Sequence, residues 1–227
     1  MKNIFLLDLD ETLLDFSKGE RENLTTSLSH FSLPADDSVI ALFHKINDGL
    51  WKALERGEVE RERLKVLRFE MLFEQLGIPV PAQTAQEISA YYFHNFPNIC
   101  YPYEGSVDFL KTLAARGKTY IVTNGAAEIQ YRHINDAGFA PFLSGVFISR
   151  EIGYDKPDLR FARYAEEHIE GYERSRAIWL GDSITSDMAC ARVAGIDHVL
   201  FAPKGAPAGY SGAVVRNYEE FLELISK

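Results

Sequence analysis

The stretch that most limits what this chain can become is Ile4-Phe5-Leu6-Leu7-Asp8-Leu9-Asp10-Glu11-Thr12. Four consecutive apolar, largely branched or aromatic residues read as a strand covered on both faces, as in a parallel sheet between helices. Two carboxylates follow where such a strand must end. Asp8 and Asp10 are two apart, so in extended chain they project to the same side, and no basic residue adjoins them. Charges so placed need a cation or a proton. The crevice beyond the carboxyl ends of the strands is where open α/β sheets bind ligands, so a divalent metal and a reacting group are natural occupants. Taken alone, D-x-D-x-T suits a turn or a helix cap equally well.

The rest of the chain alternates between two patterns. After Thr12 it is helical as far as residue 96. Leu24, Leu28 and Phe31 follow a possible capping box formed by Ser17 and Glu20. Val39, Leu42, Phe43, Ile46, Leu50 and Leu54 form a second stripe, opened by Asp36 or Asp37. A third helix is predicted over 58–76 and a fourth over 83–96. Four helices without an intervening strand predict a bundle inserted into the first sheet. From Tyr101 on, strands at 118–123, 146–149, 177–180 and 198–202 alternate with helices, the pattern of parallel βαβ units. The predicted architecture is therefore α/β: a doubly wound, Rossmann-like, mainly parallel five-stranded sheet with an inserted helical-bundle cap. Residues 1–15 and 101–227 form the core and 16–100 the cap. The Gly- and Pro-rich segment 203–212 reads as a surface loop.

Bulk properties narrow the partners. The net charge of −9 argues against a nucleic-acid polymer or an anionic membrane surface, so a bound anion needs local positive charge or a metal. No run approaches the roughly 18 apolar residues of a membrane span, and the N-terminal run lacks a cleavage pattern. Cys100 and Cys190 make no disulfide framework and share no ligand spacing with the histidines. The expectation is a cytoplasmic protein, a monomer or small homo-oligomer, with a small molecule as its partner.

Polar residues cluster where four of the five strands end: Asp8 and Asp10, Thr123-Asn124-Gly125, Lys156, and Asp182 with Asp187. In a parallel sheet those ends share one edge. There Asp8 could attack phosphorus as a carboxylate nucleophile, and Asp10 could protonate the leaving oxygen and then take a proton from water. Asp182 with Asp8 suits Mg²⁺, which would let a carboxylate approach a phosphate. The Thr123 hydroxyl, the Asn124 amide, Gly125 and neighbouring backbone N–H groups could hold the phosphate oxygens, with Lys156 supplying charge. Each signal has a plain structural reading. Thr123-Asn124-Gly125 suits a capped turn, Lys156-Pro157 a surface lysine before a helix, Gly181-Asp182 a β-to-α turn, and Asp187 a first-turn helix residue. Four such features at successive strand ends, in this order, argue for one site.

D-x-D-x-T at Asp8–Thr12, T-N-G at Thr123–Gly125, Lys156-Pro157 and G-D-S-x-x-x-D at Gly181–Asp187 resemble the ordered motifs of the haloacid dehalogenase superfamily, in its phosphatase branch. The resemblance implies Asp8 as nucleophile, Asp10 as acid/base, and Thr123 and Lys156 on phosphate. It also implies that Asp8, the Asp10 backbone carbonyl and Asp182 hold Mg²⁺, with Asp187 in its outer shell. Dehalogenase members have no aspartate at the place of Asp10, which favours phosphate esters here. Longer matches, including Ile121 to Gln130 and Ile148 to Pro157, resemble the pyrimidine 5′-nucleotidases, although that family usually carries Asp at the position of Glu11. In such enzymes the cap determines the substrate, and Phe16, Trp51, Tyr91 and Tyr92 are candidates for stacking on a base or for bundle core. The rivals are a sugar-phosphate or phosphoglycolate phosphatase, a phosphomutase, or a phospho-accepting receiver domain. In a receiver domain the paired acids precede the acceptor and no cap intervenes.

Overall fold

The N-terminal apolar run forms β1 (Ile4–Leu7), and the remaining strands are built outward from it. The computed structural model describes residues 1–226. After β1 come α1 (Phe16–His30), α2 (Asp37–Glu55), α3 (Arg61–Leu76) and α4 (Ala82–Asn95). The chain continues through α5 (Ser106–Ala114), β2 (Lys118–Thr123), α6 (Ala127–Asp136), β3 (Gly145–Ile148), α7 (Ser149–Ile152), α8 (Leu159–His168) and β4 (Ala177–Gly181). It ends with α9 (Ala189–Ala194), β5 (Asp197–Phe201), β6 (Ala213–Val215) and α10 (Tyr218–Leu224). Two compact units result: Met1–Phe16 together with the chain from Cys100 onward, and Ser17–Ile99.

The strands form one sheet in the order β3-β2-β1-β4-β5-β6, with every pairing parallel. Leu7 lies between Ile121 of β2 and Leu180 of β4, so β1 has a hydrogen-bonded neighbour on each side. Alternation of side chains along a strand explains why its sequence is continuously apolar. Phe5 and Leu7 enter a core shared with Phe109, Leu113, Ile134 and Phe221, while Ile4 and Leu6 enter the opposite core with Phe161, Ala165, Ala191 and Ala194. The point where the winding reverses lies between β1 and β4, and the crevice of a doubly wound sheet opens at such a point.

A sixth strand is the difference from the five expected. β6 pairs with β5 through Val199 and Ala213, and the Ala202 N–H donates to the Val215 carbonyl at 2.9 Å. Three residues at a sheet edge carry too little periodicity to stand out behind a Gly- and Pro-rich loop.

In the helical unit, Val39, Ile40, Phe43, Ile46 and Leu50 of α2 are buried. The Asp36 side chain caps α2 by accepting from the Ser38 and Val39 N–H groups at 2.9 and 3.3 Å. Glu20 corrects the capping-box reading of α1. It is buried, accepts from Asn47 Nδ2 at 2.8 Å and the Tyr92 hydroxyl at 3.2 Å, and pairs with His44 Nδ1 at 2.7 Å. A carboxylate so surrounded is a polar pin between helices. Of the four aromatic candidates, Tyr92 is fully buried among Phe43, Phe69 and Phe96, so it is core. Tyr91 stacks on His30 at 4.2 Å, Trp51 lies under the Arg61 guanidinium at 5.2 Å, and Phe16 opens α1.

Gly117 sets how closely β2 can begin beside β1, because Lys118 N–H donates to the Asn3 carbonyl at 2.9 Å. A Cβ at 117 would lie 2.8 Å from Asn3 Cα and closer still to its carbonyl oxygen. Gly117→Ala should therefore cost about 1–3 kcal/mol. Denaturant midpoints of the two proteins check this.

Candidate active site

Asp8 is the first residue past β1, yet its N–H still donates to the Leu180 carbonyl at 2.9 Å, so the backbone beneath the carboxylate is fixed by β4. Its side chain is buried and meets the Lys156 ammonium, which lies 2.7 Å from Asp8 Oδ1, 2.6 Å from Asp187 Oδ1 and 2.7 Å from the Val122 carbonyl. All three ammonium protons are thereby used. Lys156, which alone reads as a surface lysine, is 2% exposed. It sits between α7 and α8, next to a cis bond to Pro157.

Asn124, just past β2, positions that lysine. Its Nδ2 donates to the Lys156 carbonyl at 2.9 Å, and its Oδ1 accepts the Lys156 N–H at 2.8 Å. Ser186 Oγ lies 3.4 Å from the same Nδ2. Both ends of this amide thus grip the Lys156 backbone, as an Asn facing a backbone donor and acceptor will.

Asp182 follows β4, and the chain then makes a π turn over Ile184–Met188 before α9. The turn opens with Ser183 Oγ accepting from Ser186 N–H at 3.1 Å, and it carries Asp187 inward. Besides Lys156, Asp187 accepts from Trp179 Nε1 at 3.3 Å and from the Ser183 N–H at 3.2 Å. It is buried, while also standing in the first turn of the helical segment as its plain reading had it. Gly181 makes room for it, since a Cβ there would lie 2.7 Å from Asp187 Cβ and nearer to its carboxylate.

Asp10 and Thr123 are joined by a residue that sequence reasoning left without a role. Gln130, buried on α6, donates from Nε2 to Asp10 Oδ2 at 3.0 Å and accepts from the Thr123 hydroxyl at 3.1 Å. Thr123 Oγ1 in turn accepts the Gly125 N–H at 3.0 Å. Gly125 must lack a side chain here, because its Cβ would lie 2.7 Å from Gln130 Cγ and closer to the amide. The signal available in sequence was a glutamine on the apolar side of α6, beside Ile129 and Ile134. Glu11, in the left-handed region at φ 56°, accepts from the Tyr103 hydroxyl at 3.0 Å.

The site thus holds an acidic excess. Carboxylate oxygens of Asp8, Asp182 and Asp187 all lie within 4.8 Å of one another, against one ammonium. Burial raises the Asp8 pKa, Lys156 opposes this, and Asp187 and Asp10 add to it, leaving Asp8 pushed up to about 8. Asp182 is held well above the ordinary carboxylate range by burial and then by Asp8. Lys156 is raised by Asp187 and Asp8 against the opposing cost of its burial. Hard oxygen donors that resist ionising together fit a small divalent cation such as Mg²⁺. Asp8 and Asp182 would be the donors to hold it, since three donors already engage both oxygens of Asp187.

The model of the haloacid dehalogenase-like hydrolases matches residues 2–195. The chain belongs to that family. Among haloacid dehalogenase-like hydrolases it is 29% identical to the pyrimidine 5′-nucleotidase PynA of Streptococcus pneumoniae, over 98% of this chain and 94% of that protein. It is 26% identical to the pyrimidine 5′-nucleotidase YjjG of Escherichia coli, over 95% of each chain. The crystal structure of the HAD-hydrolase YfnB of Bacillus subtilis, bound to magnesium, superposes with a TM-score of 0.92 at 27% identity, covering 100% of this chain and 99% of that one.

Removal of divalent metal should expose the acidic excess as a pH-dependent stability. Asp8 has a native pKa raised from 3.8 to about 8, so without a cation its contribution is full below 3.8 and is lost as pH rises through about 8. Asp182 works in the same direction. The rise in melting temperature on adding Mg²⁺ to chelator-treated protein should be larger near pH 8 than near pH 5. Calorimetry at the two pH values checks it.

Proposed function

We propose that this chain is a Mg²⁺-dependent phosphomonoester hydrolase that works through an aspartyl-phosphate on Asp8, with pyrimidine nucleoside 5′-monophosphates as substrates. The observation that carries the chemistry is the single rim on which Lys156, Asp8 and Asp187 are in direct contact while Asp182 stands within 4.8 Å of the same carboxylates. A carboxylate nucleophile needs a fixed direction, a cation to offset its charge, and a nearby proton donor for the leaving group. Asp8 has the first from its backbone bond to β4 and the second from Lys156.

In the forward step an Asp8 carboxylate oxygen bonds to phosphorus as the bond to the ester oxygen breaks, and Asp10 gives that oxygen a proton. In the second step Asp10, now a carboxylate, takes a proton from water as the water attacks the phosphorus, and Asp8 leaves as a carboxylate. Lys156, whose three protons go to Asp8, Asp187 and the Val122 carbonyl, acts on the phosphate through its charge; an ammonium about 4 Å away is worth about 4 kcal/mol at an effective dielectric of 20. Gly125 leaves room beside Thr123, whose hydroxyl proton is given to Gln130, and Asn124 holds Lys156 in register. Asp8, Asp182 and the Asp10 backbone carbonyl would hold Mg²⁺, with Asp187 behind them, and the ion supplies charge neutralisation between carboxylate and phosphate.

The substrate class rests on the two nucleotidase relatives, each matched over nearly its full length. Phosphate release from a panel of nucleoside and sugar monophosphates, with Mg²⁺ and with chelator, tests the reading. Pyrimidine nucleotides should be preferred, chelator should stop turnover, and Asp8→Asn should be inactive. Asp10→Asn should lose roughly 10²–10⁴-fold in rate. Full turnover by Asp8→Asn would remove the covalent route, and a preference for sugar phosphates would replace the nucleotidase reading with the sugar-phosphatase one.

A further inference from the structure

The two aspartates after β1 are held very differently. Asp8 is locked by a ladder hydrogen bond below and a buried ammonium above. Asp10 lies in the turn beyond the strand, bridged to Leu14 just before Glu11 enters the left-handed region, in a turn closed by the Leu13 and Leu14 N–H groups donating to the Leu9 carbonyl at 2.9 and 3.0 Å. A group that must give a proton and then take one back needs its carboxylate aimed.

We infer that Gln130 is the positioning residue that aims Asp10, through a one-way chain of hydrogen bonds from Gly125 N–H to Thr123 Oγ1, from the Thr123 hydroxyl to Gln130 Oε1, and from Gln130 Nε2 to Asp10 Oδ2. The three links measure 3.0, 3.1 and 3.0 Å. Each group in the middle accepts at one end and donates at the other: with Oε1 taking the Thr123 proton, Nε2 faces Asp10 Oδ2, an oxygen that can accept whether or not the carboxyl carries its proton on Oδ1. The chain is buried at Thr123 and Gln130, where both partners raise the value of each bond. Gln130 sits one turn into α6, and its side chain lies against the bare Gly125, so the β2–α6 corner reaches across to the Asp10 carboxylate.

The inference rests on the proposed role of Asp10 as general acid, and the test separates the two. A nucleoside or sugar monophosphate leaves as an alkoxide that needs a proton, whereas p-nitrophenyl phosphate leaves as a stable phenolate that does not. The value of kcat/KM covers the steps through phosphoryl transfer to Asp8. It is measured for wild type, Gln130→Met, Gln130→Glu and Asp10→Asn, on uridine 5′-monophosphate or glucose 6-phosphate, whichever the wild type turns over, and on p-nitrophenyl phosphate. Gln130→Met should lose about 10- to 100-fold on the alkyl ester, the worth of a hydrogen bond to a charged group, and less than about threefold on the aryl ester. Asp10→Asn should show the same contrast, more strongly. Gln130→Glu keeps the size of the side chain while setting a second carboxylate against Asp10, and it should show the contrast also if the Met variant fails to fold. Equal losses on both esters, or none, in a Gln130 variant that melts near the wild type would overturn the inference while Asp10→Asn still discriminates. If Asp10→Asn does not discriminate either, the acid role itself falls, and the inference with it.

Discussion

Everything at the candidate site depends on a buried ammonium. Lys156 is nearly without solvent contact, and its three protons go to Asp8, Asp187 and the Val122 carbonyl. Taking a lysine out of water is costly, and the cost is met only because two carboxylates and a carbonyl converge on it with short contacts. Those acceptors come from three places far apart in the chain: the end of β1, the turn after β4, and the last turn of β2. The ammonium therefore works as a clasp across the switch point of the sheet. Trp179, which donates to Asp187 and has its ring centroid 6.0 Å from the ammonium, closes the apolar side.

The same arrangement explains why the site is acidic beyond what one lysine can balance. Asp182 joins a pair that is already engaged, and burial with mutual repulsion drives the carboxylates toward protonation. A phosphate alone would be repelled by such a site, and a divalent cation alone would be strongly attracted. With both present the charges offset one another, which is why a dianion and a hard metal are a natural pair of occupants.

Much of this was legible in the sequence, for identifiable reasons. β2 falls where it was expected, over Lys118–Thr123, because a branched run ending in a Thr-Asn-Gly turn has few alternatives. Read singly, Lys156 suited a surface lysine and Asp187 a first-turn helix residue, and only the order of strand ends brought them into the site. What stayed hidden depends on contacts between distant segments. Gln130 acquires its role from a residue 120 positions earlier, and no local pattern announces such a bond. Asn124 was assigned to phosphate because an amide can serve either purpose; its tie to the Lys156 backbone is settled by tertiary placement. Glu20 looked like a helix cap because a capping box is a local motif, whereas burial against Asn47 and Tyr92 is not local.

The place of β1 in the sheet has a consequence for how the chain is made. β1 needs β2 on one edge and β4 on the other, and Ala177 of β4 is far along the chain from Ile4, with which it pairs. A ribosome releases the first strand long before its partners exist, so this apolar segment must wait, unpaired, while the helices of Ser17–Ile99 can join through neighbouring contacts as they emerge. The order of synthesis thus runs against the order of assembly. The slow event in folding this protein is expected to be the late capture of its own N-terminus.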